Sequence, residues 1–229
     1  MNISVIIVAA GVGTRLKAGA PKAFVLLKGR PLIAYSLAVF QRMKAVNGII
    51  VVGHKDHLKR FEALRRNFKK IRAVVAGGAA RADSVKCGLA AVDDNTDVIL
   101  VHDAARPLVN AEMVKRLLTA LKRHKAVITG VPVKATVKQV NAKTLRVERT
   151  LQRSLLWEAQ TPQGFHKDVL VKAHQRKFKG EALRLGSGPA TDDAMLVERL
   201  GVGVKVVMGD HRNIKITTPE DLKIAEGLV

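Results

Sequence analysis

Cysteine is almost missing from this 229-residue sequence, which carries Cys87 and no other. An internal disulfide and a cysteine zinc cluster are both excluded, and with them the small stapled scaffolds. A reducing, cytoplasmic setting is the expectation. Aromatics are scarce too: six Phe, one Tyr and one Trp leave a platform for single-stranded nucleic acid little to stack with. No apolar run approaches the roughly 20 residues that cross a bilayer, so no membrane attachment is expected. The opening MNISVIIVAAG has no basic region before its short apolar run, and a cleaved secretory signal is not expected. Acids are the third shortage, 19 Asp and Glu against 40 Lys and Arg for a net charge of +21, with none between Met1 and Ile50. Such an excess suits a polyanionic partner: nucleic acid, an acidic membrane surface or phosphorylated small molecules. The cations are dispersed, however. Their densest stretch, Leu58 to Arg72, reads as an amphipathic helix with a solvated basic face.

With 48% hydrophobic residues the chain has ample material for a core, and its length fits one domain, residues 1–229. Short β-rich runs alternate with longer helical patterns, the mark of βαβ units around a parallel sheet. The predicted strands are Ile3 to Val8, Ile49 to Val52, Ala73 to Val75 with neighbours, Val98 to Val101, Val127 to Val131 and Val204 to Val207. Helices are expected after Pro31, over Lys55 to Phe68 and Asp83 to Val92, and over Ala111 to His124 with Asn110 as N-cap. Two more start at Thr191-Asp192-Asp193, with Thr191 as cap, and at Thr218-Pro219-Glu220-Asp221. From Val133 to Gln160 the rhythm breaks into alternation around Asn141-Ala142-Lys143. That segment reads as a β-arm projecting from the sheet, too poor in core to stand without a partner surface.

Three loops at the expected carboxyl edge of the sheet carry chemistry. After the first strand, Ala9-Ala10-Gly11-x-Gly13-x-Arg15 followed by Lys22 offers backbone N–H groups and two cations to phosphate. It lacks the third glycine of a dinucleotide fingerprint and the Gly-Lys-Ser/Thr of a Walker loop. Gly77-Gly78-Ala79-Ala80-Arg81-x-x-Ser84 opens a helix, and its arginine and hydroxyl suit a base or ribose. His102-Asp103-Ala104-Ala105-Arg106-Pro107 ends a strand with an acid able to orient a metal or a sugar hydroxyl, or to form a local pair with Arg106. Lys215 adds a further cation near the C-terminus.

No Gly-x-Ser-x-Gly elbow and no His-Glu-x-x-His is present. His54 and His57 read as helix-start surface and Cys87 as filler in a buried helix. A site run by cations without an evident side-chain nucleophile or base points to phosphoryl or nucleotidyl transfer, where positioning and charge neutralisation carry catalysis.

Taken in order, AAGxGxRL, PKAF, GGxxRxxSV, HDAARP, TPQ, ATDDA and NIKITTPEDL resemble the 2-C-methyl-D-erythritol 4-phosphate cytidylyltransferases across nearly the whole chain. The resemblance implies a Rossmann-like α/β fold, a mostly parallel sheet flanked by helices with a projecting β-arm. It implies Mg²⁺-dependent transfer from CTP, with Mg²⁺ held mainly by the CTP phosphates. On this sequence, Ala9, Ala10, Gly11, Gly78 and Ser84 would hold CTP, with Arg81 placed beside them. Arg15, Lys22 and Lys215 would act on its phosphates. Asp103, Arg106 and Thr191 fall on the acceptor side, and Thr136, Arg153 and Thr161 in the arm and the region after it. The arm implies a homodimer in which Arg153 reaches the other subunit's acceptor site. Ribitol 5-phosphate as acceptor is the alternative of the same chemistry, and a basic nucleic-acid-binding protein on a transferase fold the alternative of a different class.

Overall fold

The computed structural model describes residues 1–13, 16, 21–176 and 190–229. The chain opens with β1 (Ile3–Ala9), a short hairpin of β2 (Leu26–Leu27) and β3 (Arg30–Pro31), and α1 (Leu32–Arg42). It continues through β4 (Val46–Gly53), α2 (Leu58–Ala63), β5 (Ile71–Ala76), α3 (Arg81–Leu89), β6 (Val98–Asp103), α4 (Ala111–Leu121) and β7 (Ala126–Pro132). The short strands β8 (Lys138–Val140) and β9 (Val147–Thr150) follow, then β10 (Trp157–His166), α5 (Lys167–Gln175), α6 (Asp193–Glu198), β11 (Lys205–Met208) and α7 (Pro219–Glu226).

Seven strands form one sheet in the order β11-β7-β10-β6-β1-β4-β5. Only β10 runs against its neighbours, pairing antiparallel with both β6 and β7. Six of the seven β1 residues are buried, as a strand covered on both faces requires. Val5, Ile7 and Leu100 face a core shared with α1 and α4, while Ile6, Ile99 and Val101 face one shared with α3, α5 and α6. On α4 the buried set Met113, Val114, Leu117, Leu118 and Leu121 follows the spacing of one helix face, and the Asn110 side chain caps it by accepting from Met113 N at 2.9 Å. The chain runs from β1 to β4 and β5 on one side and returns to β6 on the other, so the connection reverses between β1 and β6. In open α/β sheets that reversal leaves a crevice at the carboxyl ends of the strands.

A third, smaller core of Leu16, Leu27, Leu32 and Ile216 ties the C-terminal segment to this edge. Ile216 N donates to Ala105 O at 2.8 Å, which lays Lys215 over the end of β6. Beyond it, Thr218 and Asp221 cap α7 reciprocally: Asp221 N donates to Thr218 Oγ1 and Thr218 N to Asp221 Oδ2.

Several expectations shift. The six expected strands are present, each longer than or displaced slightly from its sequence bounds. The expected helix over residues 55–68 is α2 with a 3-10 turn on either side. The helix expected from Asp83 starts at Arg81, because the Asp83 carboxylate reaches back to Ala80 N at 3.0 Å. The cap of α6 is Asp192, not Thr191: the Asp192 carboxylate accepts from Met195 N at 2.9 Å. The antiparallel ribbon of β8 and β9 stands apart from the main sheet with every residue exposed. It ends sooner than expected, since residues 157–160 begin β10 and pair with Pro132 to Thr129 of β7. The second half of β10 and all of α5 were not expected from the sequence.

Candidate active site

A cavity of about 370 Å³ opens at the β1/β6 reversal, bounded by the turn after β1, the start of α3, the end of β6 and the segment carrying Lys215. Of the residues singled out in the sequence, Ala9, Ala10, Gly11, Lys22, Gly78, Arg81, Ser84, Asp103 and Lys215 line it together. Its size lies in the range of small-molecule sites. Close backbone approach explains two glycines. A Cβ on Gly77 would stand 2.4 Å from Ala10 Cβ and 2.7 Å from Ser84 Oγ, and Gly13, at φ +71°, would bring one to 2.8 Å from Lys22 Cβ. Without these glycines the two glycine-rich turns and Lys22 could not share one wall.

The floor is a chain of charges. Asp103 Oδ1 accepts from Arg81 Nε at 3.0 Å and Asp103 Oδ2 pairs with Lys215 Nζ at 2.7 Å. Arg81 Nη1 reaches on to Asp193 Oδ2 at 2.7 Å, and Asp193 Oδ1 meets His174 Nε2 at 2.9 Å. Burial alone would raise the Asp103 carboxyl, but Arg81 and Lys215 overcome it and hold the group well below the usual carboxylate range. Burial would likewise discharge Arg81; the two aspartates outweigh it and keep the guanidinium firmly charged. The alternative of a local Asp103–Arg106 pair is not formed by hydrogen bond: Arg106 donates instead to Asn213 O at 2.7 Å and Ala159 O at 3.2 Å.

Arg106, Thr136, Arg153, Thr161 and Thr191 stand outside the cavity lining. Thr161 is buried, its Oγ1 within 3.1 Å of both Asp103 N and His102 Nδ1. Ser84 lines the cavity with its hydroxyl donated to Ala80 O at 3.1 Å. Thr191 is exposed ahead of α6. Thr136 and Arg153 are exposed on the arm, where Arg153 Nη1 holds Lys134 O at 2.7 Å. Arg15 lies outside the described residues. Cys87 is half-buried on α3, and His54 caps a 3-10 turn at the surface through Asp56 N.

Sequence reasoning missed Asp193 and His174, which anchor Arg81 from behind, and the pair Gln160 and Asn213. Gln160 Nε2 donates to Asp210 O at 2.9 Å and Asn213 Nδ2 to Thr161 O at 2.9 Å, clamping the loop that leads to Lys215. The only signal for Asp193 was its place in ATDDA, read there as a first-turn acid. Among the described residues no cluster of three His, Cys, Asp or Glu side chains is placed to hold a metal ion. Among the described residues Asp103 is the one carboxylate lining the cavity, and both its oxygens are engaged by cations.

This arrangement can bind a polyphosphate against backbone N–H groups and cations; among the described residues no cysteine or histidine lines the cavity, and the hydroxyl of its one serine, Ser84, is donated to Ala80 O. Comparison with known proteins agrees. The family model described as 2-C-methyl-D-erythritol 4-phosphate cytidylyltransferase matches residues 3–229. Proteins of that name from Alkaliphilus metalliredigens and Geobacillus kaustophilus are 41% and 42% identical, covering all of this chain and 93% and 97% of their own lengths. The crystal structure of a 4-diphosphocytidyl-2C-methyl-D-erythritol synthase from Anaerococcus prevotii superposes with a TM-score of 0.84 at 32% identity over 99% of this chain and 97% of its own. That of the Thermus thermophilus cytidylyltransferase gives 0.76 at 34% identity over 100% and 98%. With the matched residues spanning the strands, the glycine turns and the charged floor alike, the chain belongs to the 2-C-methyl-D-erythritol 4-phosphate cytidylyltransferase family.

Proposed function

We propose that the protein transfers the cytidylyl group of CTP to 2-C-methyl-D-erythritol 4-phosphate. The products are 4-(cytidine 5'-diphospho)-2-C-methyl-D-erythritol and pyrophosphate, a step of isoprenoid precursor synthesis. The observation that carries this reading is the shared wall of the cavity, where Lys22 and Lys215 face one space with the glycine-rich turns after β1 and β5.

The chemistry follows from what the cavity contains. A phosphomonoester oxygen of the acceptor is already anionic near neutral pH and needs no base to free it. It attacks the α-phosphorus of CTP, a new P–O bond forms, and the bond to the bridging oxygen breaks to release pyrophosphate. Negative charge grows on the transferring group and the leaving group, and Lys22, Lys215 and, from the resemblance, Arg15 neutralise it. Mg²⁺ bound to the triphosphate would add charge neutralisation. With Asp103 engaged by Arg81 and Lys215, such an ion would be held through the CTP phosphates and water, in keeping with its habit of retaining a hydration shell. The turn after β1 and the Gly77–Ser84 segment hold the nucleotide, while Asp103, Arg106, Thr161 and Thr191 shape the acceptor side.

Residues 1–229 act as one unit, paired as a homodimer through the arm. Its Leu145 and Leu155 are 74% and 72% exposed, with Val140, Val147 and Trp157 also open, and a second copy of the chain would cover them. Thr136 and Arg153 then serve the partner's site. No helix among the described residues is long and apolar enough to cross a membrane, and the reading places the enzyme in the cytoplasm.

The reading is tested by pyrophosphate release from CTP with a panel of polyol phosphates. Turnover confined to 2-C-methyl-D-erythritol 4-phosphate is expected; equal turnover of ribitol 5-phosphate would overturn the acceptor assignment.

A further inference from the structure

His102 is fully buried and lines no part of the cavity, yet its ring touches three segments: α1, β10 and the loop after β6. It extends from β6 on the face that carries Leu100 toward α1, opposite the face of Asp103. Its Nε2 lies 3.1 Å from Arg106 O and 3.2 Å from Ser36 Oγ of α1, its Nδ1 lies 3.1 Å from Thr161 Oγ1 of β10, and Phe40 packs edge-on at 5.3 Å.

The partners decide the tautomer. A backbone carbonyl can only accept, so Nε2 carries the hydrogen and points it at Arg106 O. In the neutral ring Nδ1 is then an acceptor, and the Thr161 hydroxyl must donate to it. That leaves a Thr161 lone pair for the Asp103 amide, whose N–H lies 3.1 Å away. This amide needs such a partner. Ala104 N is used by Val8 O of β1, and strand alternation turns Asp103 N the other way, toward β10. There the ladder has ended: β10 pairs with β6 only up to Gln163 opposite Val101, and its register shifts between Gln160 and Gln163. The Thr161 hydroxyl takes the place of the missing ladder carbonyl.

We infer that His102 is a positioning residue for cytidylyl transfer: through Nδ1 it orients the Thr161 hydroxyl to hold the Asp103 amide, and so sets the carboxylate that holds Arg81 and Lys215. Thr161 accordingly acts on the acceptor side through Asp103. The inference rests on the proposed function for its kinetic consequence but not for its geometry. Burial, which pushes the ring down to about 4, keeps it neutral under working conditions, as the tautomer requires.

Two measurements on the full-length protein test this. Long-range ¹H–¹⁵N correlation in histidine-labelled protein near neutral pH reads the tautomer directly, with His102 assigned by its loss in His102→Asn. A protonated Nε2 beside a bare Nδ1 is expected, and a protonated Nδ1 or a charged ring would overturn the inference. Kinetically, an Asn side chain can place its carbonyl oxygen near the Nδ1 position and a Gln its amide nitrogen near Nε2. His102→Asn should therefore keep kcat within about threefold, while His102→Gln loses about tenfold with little change in the acceptor KM, the size of one hydrogen bond expressed as a rate. In a Thr161→Val background the Gln substitution should cost less than about twofold more, whereas Thr161→Ser should stay near wild type. An equal further loss in the Val background, or a Thr161→Val effect confined to the acceptor KM, would contradict the relay. Were the wild type to release no pyrophosphate from CTP and 2-C-methyl-D-erythritol 4-phosphate, the functional reading would fail while the tautomer measurement still decided the geometry.

Discussion

Lys215 Nζ sits 2.7 Å from Asp103 Oδ2, so the cation proposed to act on the CTP phosphates is held by a carboxylate. On the proposed reading Lys215 meets a phosphoryl oxygen from this place, through another of its three ammonium hydrogens. Asp103 also holds Arg81 in place, and its removal should therefore act in opposite directions on two quantities. Asp103→Asn is expected to bind CTP several-fold more tightly, because the cavity gains one unit of net positive charge. Its kcat should fall by about 10²-fold or more as the acceptor side loses its anchor. Calorimetric CTP titration beside steady-state kinetics checks the split; weaker CTP binding with an unchanged kcat would contradict it.

Lys22 shares the wall with the glycine turn after β1. If it acts on charge that develops during transfer, Lys22→Ala should lower kcat by about 10²-fold or more while CTP affinity falls less. Equal losses in affinity with kcat intact would reduce Lys22 to uniform binding.

His102 makes stability depend on pH. Its folded-state pKa is about 4, lowered chiefly by burial, against about 6.5 in the unfolded chain. The unfolded state takes up its proton first, so the contribution is whole above pH 6.5, shrinks as pH falls through the window to 4, and is flat below. The amplitude is at most roughly 3 kcal/mol. Asp103 works in the next window down, losing its contribution below the usual carboxylate range. Denaturant midpoints measured from pH 7 to pH 4 should fall for the wild type and fall less for His102→Asn. Parallel slopes would show that the ring titrates alike in both states.

The arm tests the quaternary reading. Lys22→Ala and Arg153→Ala, each inactive as a homodimer, should recover roughly a quarter of wild-type activity after joint unfolding and reassembly, because half the dimers are mixed and one site in each is whole. No recovery despite proven subunit exchange would assign Arg153 to its own subunit.

What the sequence made legible follows its local grammar. β1, α4 with its Asn110 cap and the α7 capping box announce themselves within a dozen residues, and so do the glycine turns that line the cavity. β10 did not. A central strand disfavours Pro and Gly, and TPQGF contains both. Pro162 is tolerated because it falls within the register shift between Gln160 and Gln163. Gly164 is required because a Cβ there would meet Leu117 Cδ2 at 2.6 Å. Both reasons are tertiary. The same holds for Arg81 and Asp193, 112 positions apart: the sequence shows two common charges, and only the packing of α3 against α5 and α6 brings them together. Thr191 was one residue off as a cap because the neighbouring Asp192 is an equally good cap residue.

The central claim is that the acceptor phosphate attacks CTP directly, with cations and not an enzyme nucleophile carrying the step. The stereochemistry at the transferred phosphorus tests it most directly. One diastereomer of CTP bearing sulfur on the α-phosphorus is turned over with 2-C-methyl-D-erythritol 4-phosphate, and the configuration of the product is determined. A single in-line displacement predicts inversion; retention would mean two displacements through a covalent cytidylyl-enzyme and would contradict the account.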